Sequence, residues 1–435
     1  MAGKKTTPPK TNVGRRRFLQ TSAGAAAVLS LASGVHADGD NILRIGLIGC
    51  GGRGTGAAAN ALKADPNVRL TAMGDAFRDR LNGSLAELRR DRMLTPKIDV
   101  PRERQFVGFD AYREVIGSGV DVVLLCTPPH FRPAHLDAAV RANKHVFCEK
   151  PVAVDAPGVR RVLATCQEAG RRRLSIVSGL CWRYHGGMRE AFARIHDGAV
   201  GNIVALQCSY NTGTLWHRNR EQDWSDMEWQ IRNWLYFTWL SGDFNVEQHI
   251  HSLDKMAWAM RDQHPLRAVG LGGRQVRTGP EFGNIFDHHS VVYEYPNGIK
   301  CFASCRQQAN CAPDVSDWVM GSLGTAHLRG DNGLSRITGR NAWQYPAARA
   351  RQDDMYQTEH NELFASIRRG TPINNGEYMA KSTLMAIMGR MATYTGRVIT
   401  WEEALQSRED LTPPRYEWGR LPVAPVARPG ITEFS

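Results

Sequence analysis

Several features that would place a chain in a specialised class are missing from this sequence. No apolar run approaches the roughly 20 residues needed to cross a bilayer, and the nearest stretch, residues 23–32, is short and contains Gly24 and Ser30. There is no Cys-x-x-Cys pair of the kind that holds zinc. The nine cysteines are too sparse in 435 residues to form a disulfide scaffold. We therefore expect a globular protein without a metal site, whose cysteines are mostly buried, with pairing among residues 301, 305 and 311 left open.

Positive charge is concentrated near the N-terminus. The chain carries a net charge of +12 at pH 7. Half of it comes from six basic residues with no acid among them: Lys4, Lys5, Lys10, Arg15, Arg16 and Arg17. Beyond them the excess is mild for the length, and no dense basic and aromatic patch indicates nucleic acid binding. This balance is compatible with an anionic substrate but does not require one.

The same segment has the order of a bacterial export signal. Three arginines lead into Phe18 and Leu19 at residues 15–19, an apolar stretch follows at residues 25–29, and small residues end it at residues 35–37. This order predicts a secretory signal, and the paired arginines resemble the twin-arginine type. We expect residues 1–37 to be removed after Ala37 and the protein to be periplasmic. A disordered basic tail is the alternative.

Residues 38–155 are predicted to form a Rossmann domain. Apolar, β-rich runs at residues 42–48, 68–73, 120–126 and 145–148 alternate with helical stretches. This alternation is typical of a parallel sheet with crossover helices. Such strands are short and continuously apolar because helices cover both faces of the sheet. The fold class expected for this part of the chain is α/β.

After Pro151 the pattern changes to that of an α+β domain, which we assign to residues 156–410. Apolar residues recur at helical spacing between residues 188 and 195. Longer β-rich runs at residues 289–295 and 299–303 flank a Pro-Asn-Gly turn, a hairpin signal because Asn-Gly tolerates positive φ. Strands bunched in this way predict a largely antiparallel, open-faced sheet. The Pro-rich residues 411–435 are expected to form an extended arm along the surface.

A glycine-rich turn after the first predicted strand indicates a dinucleotide site. It fits the pattern G-x-G-x-x-G: Gly49-Cys50-Gly51-Gly52-Arg53-Gly54. The glycines allow a tight turn, close approach of the backbone to a pyrophosphate, and tight packing of helix on strand. Asp75 ends the second strand, where a carboxylate can accept the ribose hydroxyls and would repel a 2′-phosphate. NAD is therefore favoured over NADP, although Arg78 keeps NADP open.

Two further motifs point to a known family. A strand ending in Thr-Pro at residues 126–130 is followed, after a helix, by a strand ending in Glu-Lys-Pro at residues 144–151. Together with the glycine turn, this combination resembles the Gfo/Idh/MocA family. Its members are NAD(P)-dependent sugar and cyclitol oxidoreductases related to glucose-fructose oxidoreductase and inositol dehydrogenase. The resemblance extends from about residue 43 to at least residue 401.

The resemblance implies three catalytic residues. Lys150 would lie beside the nicotinamide and stabilise the alkoxide-like oxygen that develops as hydride leaves. His251 matches the family's histidine and is the natural general acid or base, since the pKa of histidine lies near working pH. Glu247 stands where the family usually has aspartate, and its spacing from His251 allows both side chains to reach one cleft. It would orient the histidine or bind a sugar hydroxyl, although its extra methylene pushes its carboxylate outward.

Further residues are expected to contact the cofactor or the substrate. For the cofactor they are Gly49, Gly51, Gly52, Arg53, Gly54, Asp75, Thr127, Pro128, His130, Glu149 and Lys150. The family often has histidine at residue 132, whereas this chain has Arg132 there and His130 earlier. For the substrate they are Tyr184, His185, Trp234 and Asp254. The aromatic side chains suit a sugar ring, and packing at a domain interface is the alternative for each of them.

The expected function is hydride transfer between a nicotinamide cofactor and a hydroxyl of a sugar, sugar acid or cyclitol. An NAD-dependent glycosidase or lyase acting by transient oxidation and elimination is the first alternative. A non-catalytic carbohydrate-binding protein is the second. The twin-arginine route carries folded proteins, so a cofactor could be exported in the bound state. By analogy with the family we also expect a homo-oligomer, with no nucleic acid partner and no membrane span once the signal is removed.

Overall fold

The computed structural model describes residue 3, residues 41–329 and residues 334–434. Apart from Gly3, the predicted export signal and its cleavage point after Ala37 lie outside the described residues. Residues 43–435 form one compact unit. Within the described part of the chain, no helix combines the length and apolar character needed to cross a bilayer.

The first part of this unit is a Rossmann fold, as the sequence predicted. Its elements are β1 (Leu43–Ile48), α1 (Gly52–Ala64), β2 (Val68–Asp75), α2 (Arg78–Arg90), β3 (Gln105–Val107), α3 (Ala111–Gly117), β4 (Val122–Leu125), α4 (Arg132–Arg141), β5 (His145–Cys148), α5 (Ala156–Arg171) and β6 (Ile176–Ser178). The strands form a six-stranded parallel sheet in the order β3-β2-β1-β4-β5-β6. The sheet continues to Ser178, past the predicted boundary at residue 155, because α5 and β6 add one more helix and strand to it.

Small and apolar side chains explain the close packing of this domain. Strands β1 and β4 are buried at nearly every position because helices cover both faces of the sheet. Helix α1 presents Ala57, Ala58 and Ala61 to the sheet, and these residues are fully buried. This packing fixes the start of α1, and with it the glycine turn, against the ends of the strands.

The second part of the unit is an α+β domain. Its elements are α6 (Gly186–His196), β7 (Ile203–Thr212), α7 (Asp226–Arg232), α8 (Thr238–Ser241), α9 (Phe244–Glu247), α10 (Ile250–Ala259), β8 (Arg267–Gly273), β9 (His288–Glu294), β10 (Lys300–Gln307), β11 (Asp314–Gly321), β12 (Gly324–Arg329), β13 (Arg336–Gly339), β14 (Trp343–Gln344), α11 (Ala347–Ala350), α12 (Met355–Arg369), α13 (Gly376–Thr395), β15 (Ile399–Thr400) and α14 (Trp401–Gln406). Among the described residues, nine strands form one sheet in the order β14-β13-β12-β11-β7-β10-β9-β8-β15. Only the β7–β10 pair is parallel, so the predicted, largely antiparallel sheet is confirmed.

The predicted hairpin and the open face of this sheet are both present. Strands β9 and β10 pair antiparallel, and the turn between them contains Asn297 and Gly298 with φ of 62° and 75°. Helices α10 and α13 pack on one face of the sheet. On the other face Val269 and Phe302, which both pair with Val292, are 44% and 49% exposed. The sheet therefore leaves one face uncovered in the single chain.

Candidate active site

The turn between β1 and α1 has the shape that a dinucleotide site requires. Gly49 has φ of +97°, and a Cβ added there would lie 2.5 Å from the backbone nitrogen of Thr127. A Cβ added at Gly54 would lie 1.9 Å from the carbonyl oxygen of Gly49. At Gly51, by contrast, no atom of the described residues lies within 4 Å of an added Cβ. The first turn of α1 is therefore open on that side, and its N–H groups are available to an anion.

A cavity of about 610 Å³ opens at the carboxyl ends of the parallel strands. This volume is typical of sites for small molecules and cofactors. Its lining contains the four glycines of the turn and most of the residues predicted from the sequence: Arg53, Asp75, Thr127, Pro128, Glu149, Lys150, Trp234, Glu247 and His251. It also contains residues that sequence reasoning did not assign: Arg80, Phe109, Arg132, Trp216 and Arg218. The fold thus brings the predicted catalytic groups and the glycine turn to one cleft.

Lys150 and Glu247 form an ion pair in the wall of this cavity. The Lys150 Nζ donates to the Glu247 Oε1 at 2.8 Å and to the Glu247 carbonyl oxygen at 2.7 Å. Both side chains are mostly buried, with 14% and 12% of their surface exposed. The extra methylene of glutamate, which was expected to push the carboxylate outward, instead lets it reach the lysine. The ammonium therefore has a fixed place, and one of its three N–H donors is not used by Glu247.

His251 lies four residues beyond Glu247 and lines the same cavity. Burial and, secondly, the positive charges of Lys150, Lys255 and Arg53 hold the pKa of His251 well below its ordinary value. The imidazole is therefore neutral at neutral pH. Its Nδ1 is buried and has no hydrogen-bond partner among the described residues. His249, in contrast, is enclosed in the core, where its Nδ1 lies 3.0 Å from the Asn245 Oδ1.

The short helix that carries Glu247 starts from a strained residue that the sequence did not single out. Asp243 has φ of 76° and ψ of 159°, a region that residues other than glycine rarely adopt. Its fully buried carboxylate accepts hydrogen bonds from the Phe286 nitrogen at 2.9 Å and from the Tyr394 hydroxyl. It also lies 3.2 Å from the His289 Nε2. This network fixes the start of α9 and thereby the position of Glu247.

A second group of charges lies below the glycine turn. Arg53 bonds through Nε to Glu149 and through Nη2 to Glu359, the latter at 2.7 Å. Burial alone lowers the pKa of Arg53, but the charges of Glu149 and Glu359 raise it above its ordinary value. Burial and the charge of Glu149 raise the pKa of Glu359 well above its usual range. Glu359 lies 306 positions from Arg53, and no local pattern in the sequence signalled this contact.

Asp75 lies at the end of β2, as predicted, and supports the glycine turn. Its Oδ2 accepts a hydrogen bond from the Cys50 nitrogen at 2.6 Å, and its Oδ1 accepts one from the Phe77 nitrogen at 2.9 Å. Burial raises the pKa of this carboxyl above its ordinary value. Arg78, which kept NADP open in the sequence, is exposed and lies 3.4 Å from the Gln105 carbonyl oxygen. It does not line the cavity, whereas Arg80 does.

The loop after β4 brings two of its three predicted cofactor contacts into the cavity lining. Thr127 and Pro128 line the cavity. His130 does not, because it is buried between the ring of Trp239 and the C-terminal arm, where its Nε2 lies 2.7 Å from the Tyr416 hydroxyl. Burial lowers the pKa of His130 to about 4. The prediction of a cofactor contact is therefore corrected at this residue, and Arg132, which donates to the Pro151 carbonyl oxygen, lines the cavity instead.

Three of the four predicted substrate contacts lie outside the cavity lining. Tyr184 is buried and donates to the Asn375 Oδ1 at 2.6 Å. His185 caps α6, accepting from the Met188 nitrogen at 3.3 Å. Asp254 is 1% exposed and binds the Arg183 guanidinium in a buried ion pair at 2.9 Å. Their side chains are engaged in packing and in buried hydrogen bonds. The predicted substrate contacts are therefore corrected at these three residues, and only Trp234 lines the cavity.

The C-terminal arm packs against the outer side of the cleft. The Trp418 ring lies 4.5 Å from Phe109 and 5.2 Å from Phe77 between centroids, and both phenylalanines line the cavity. The Leu421 carbonyl oxygen accepts a hydrogen bond from the Gln230 side chain at 2.6 Å. The arm therefore connects the ends of the Rossmann strands with α7.

No disulfide and no metal-binding cluster is found in the part of the chain that the structure describes. All nine cysteines are unpaired, and only Cys311 is exposed. Burial and then the charge of Glu149 raise the pKa of Cys126, a residue of the cavity lining, so its thiol is protonated. No group of three His, Cys, Asp or Glu side chains in the described ranges could hold a metal ion.

The sequence of the first domain matches a known family. Residues 43–177 match the GFO_IDH_MocA description, an oxidoreductase family with an NAD-binding Rossmann fold. The match includes β6 and supports the prediction of an NAD-binding oxidoreductase.

Individual relatives match different shares of the chain. Inositol 2-dehydrogenase from Klebsiella pneumoniae (strain 342) is 26% identical over 297 residues, which is 66% of this chain and 74% of that protein. The 2,7-anhydro-N-acetylneuraminate hydratase of Escherichia coli (strain K12) is 27% identical over 202 residues, 46% of this chain and only 50% of that protein. The solved aldose-aldose oxidoreductase from Caulobacter crescentus aligns with a TM-score of 0.63 over 83% of this chain and 100% of that one. At 19% identity it shows a shared fold.

Proposed function

We propose that the protein is an oxidoreductase that transfers hydride between a nicotinamide dinucleotide and a hydroxyl of a sugar, sugar acid or cyclitol. The observation that carries this proposal is that Lys150, Glu247 and His251 line the same cavity as the glycine turn. The turn lies in a domain of an NAD-binding oxidoreductase family. A relative named inositol 2-dehydrogenase supports the substrate class.

The residues of the turn fit a dinucleotide. The open side of Gly51 and the N–H groups at the start of α1 suit a pyrophosphate. Asp75 stands where a ribose is held in this fold, and we propose NAD as the cofactor on that ground. When bound, the nicotinamide supplies the hydride chemistry.

The side chains of the cleft handle the oxygen and the proton. Lys150 holds its ammonium by two bonds to Glu247, so a third N–H can donate to the substrate oxygen. This donation stabilises the negative charge that develops on the oxygen when its carbon is oxidised. Neutral His251 accepts the hydroxyl proton. Trp234 and Trp216, whose ring centroids are 6.5 Å apart, offer aromatic faces to a sugar ring.

A second candidate is an eliminating enzyme without net oxidation, either an NAD-dependent glycosidase or a lyase. The relative named a hydratase favours it, because addition or removal of water changes no overall oxidation state. In such an enzyme transient oxidation of a hydroxyl acidifies the neighbouring C–H, elimination follows, and hydride returns. The same Lys150 and His251 would serve both reactions.

The test begins with the cofactor and ends with the product. Nucleotide released from denatured protein is identified by mass spectrometry, and the native protein is then screened with polyols for formation of reduced nicotinamide. We expect turnover that is lost in Lys150→Met and retained in Lys63→Met, since Lys63 is on the exposed side of α1. Release of aglycone from aryl glycosides, or opening of anhydro sugars by addition of water, without net formation of reduced nicotinamide would favour the second candidate. Absence of any bound dinucleotide and of any turnover would refute both.

The cellular setting is a further part of the proposal. The arginines at residues 15–17 and the small residues at 35–37 support export to the periplasm by the twin-arginine route. The exposed face of the nine-stranded sheet supports a homo-oligomer. Export is tested by cell fractionation of a tagged full-length chain, both native and with Arg15→Lys and Arg16→Lys combined.

A further inference from the structure

The C-terminal arm crosses the outer side of the cleft from one domain to the other. It starts beside α5, where the Leu411 nitrogen donates to the Asp155 Oδ2 at 3.0 Å. It continues to α7, where the Leu421 nitrogen donates to the Asp226 Oδ2 at 3.1 Å. The Leu421 carbonyl oxygen also accepts a hydrogen bond from the Gln230 side chain at 2.6 Å. The arm is therefore attached to the Rossmann domain and to the α+β domain.

Between these attachments, two aromatic rings of the arm pack against residues of the cavity wall. The Tyr416 ring lies 5.9 Å from the Phe131 ring between centroids. The Trp418 ring lies 4.5 Å from Phe109 and 5.2 Å from Phe77. The three phenylalanines line the cavity, whereas Trp418 does not and is 45% exposed. The arm therefore forms a second layer behind this wall.

This part of the wall lies where the adenosine half of a dinucleotide is expected. The Phe77 nitrogen donates to the Asp75 Oδ1 at 2.9 Å. The Gly108 nitrogen donates to the Asp75 carbonyl oxygen at 3.0 Å, which brings Phe109 to the same place. In this fold a carboxylate at the end of the second strand binds the ribose. The adenosine of the proposed cofactor would therefore lie close to Phe77 and Phe109.

The α+β domain contributes α7 to the same end of the cavity. Ile231 and Arg232 of this helix line the cavity. Arg232 lies over the Phe77 ring at 3.9 Å and binds both carboxylate oxygens of Asp79 in α2, at 3.1 Å each. Separation of α7 from the ends of β2 and β3 would widen the cleft at this end. Because the arm is bound to both sides, that separation requires contacts of the arm to break.

We propose that the C-terminal arm is a strap that slows release of the dinucleotide, with Trp418 as its main contact. Packed aromatic rings stabilise one another beyond the burial of apolar surface. Loss of the Trp418 ring would therefore loosen Phe77 and Phe109 together. Trp418 is a positioning residue, since it acts through these two phenylalanines. The proposal rests on the proposed function and extends it, because it assigns retention of the cofactor, rather than hydride transfer, to the arm.

The strap is tested by the rate at which NADH leaves the purified full-length protein. Protein loaded with NADH is mixed with excess NAD in a stopped-flow instrument, and the fluorescence of the reduced nicotinamide is followed. The measurement is repeated with Trp418→Ala, Trp418→Phe and the control Phe434→Ala. Phe434 is an aromatic residue of the same arm, but it lies against Arg397 at 5.8 Å and outside the cavity lining. Thermal unfolding without nucleotide is recorded for each variant.

We expect NADH to leave Trp418→Ala about tenfold faster than the native protein. Trp418→Phe, which keeps a smaller ring, should give an intermediate rate, and Phe434→Ala should keep the native rate. The unfolding temperatures of the variants should be alike, which separates retention from a general loss of stability. Native release from Trp418→Ala, or equal acceleration in Phe434→Ala, overturns the strap and leaves the proposed cofactor standing. Failure of the native protein to bind NADH at all would refute the proposed cofactor and the strap with it.

Discussion

Shortening Glu247 by one methylene tests whether the ion pair with Lys150 holds the proposed catalytic lysine in place. In the native protein the Lys150 Nζ and the Glu247 Oε1 are 2.8 Å apart, and both side chains are largely buried. At an effective dielectric constant of about 20, two unit charges at this distance attract by about 6 kcal/mol. Glu247→Asp withdraws the carboxylate by about 1.5 Å, the length of one C–C bond, which reduces the attraction to about 4 kcal/mol.

We therefore expect Glu247→Asp to lower the free energy of unfolding by up to about 2 kcal/mol. The bond from Lys150 to the carbonyl oxygen of residue 247 does not depend on the side chain, so the fold itself should persist. Urea denaturation, followed by fluorescence and circular dichroism, measures the difference. Dinucleotide affinity, measured in parallel, should change little, because the glycine turn is untouched.

Glu377→Asp is the matched control. Glu377 pairs with Lys381 at 2.7 Å, but its side chain is 77% exposed, and an exposed pair of this kind contributes less than about 1 kcal/mol. The control should therefore unfold almost as the native protein does. Equal stability of the two variants, or native stability of Glu247→Asp, would contradict the ion pair and with it the fixed position of Lys150.

Three further predictions address other parts of the site. Gly51→Ala should weaken dinucleotide binding at least about tenfold in titrations but cost under about 1 kcal/mol of unfolding free energy, since its Cβ enters only open space; an unchanged affinity would contradict the placement of the pyrophosphate. Because the pKa of His130 is about 4 in the folded protein against an ordinary 6.5, the unfolded state takes up the proton first, and stability is lost as pH falls from about 6.5 towards 4. Between pH 7 and 5, the free energy of unfolding measured in urea titrations should fall by about 2 kcal/mol less in His130→Phe than in the native protein. An equal fall in both proteins would refute burial of a neutral imidazole. Asp254→Asn should lower the unfolding free energy by about 3–5 kcal/mol, since it leaves buried Arg183 short of a partner, while the affinity for dinucleotide and polyol stays native; a selective loss of polyol affinity would restore Asp254 to the substrate site.

Local sequence patterns predicted the fold and part of the cleft. The strands at residues 43–48 and 145–148 and the hairpin around Asn297 are short-range features, set by hydrophobic runs and by turn residues. The glycine turn and Lys150 each follow a strand of the parallel sheet, and such strands end at a common edge. Sequence order therefore sufficed to bring them together.

The features of the site that the sequence did not reveal depend on contacts between residues far apart in the chain. Arg53 meets Glu359 across 306 positions, and His130 is covered by Tyr416 from the C-terminal arm. Asp254 fits the helical spacing of a site residue, yet its side chain turns to Arg183. Periodicity predicts which face of a helix is buried, but it does not predict which distant side chain will be there. The same limit hid Arg218, which reaches the cavity from a loop.

In the reaction we propose, hydride passes between a carbinol carbon of the substrate and a nicotinamide held in the cleft beside Lys150. Its most direct measurement follows deuterium from a cyclitol labelled at the carbinol carbon to the bound cofactor, by mass spectrometry of the nucleotide released after reaction. We expect deuterium on the nicotinamide in the native protein and none in Lys150→Met. A native protein that holds the dinucleotide, binds the labelled polyol and transfers no deuterium would contradict it.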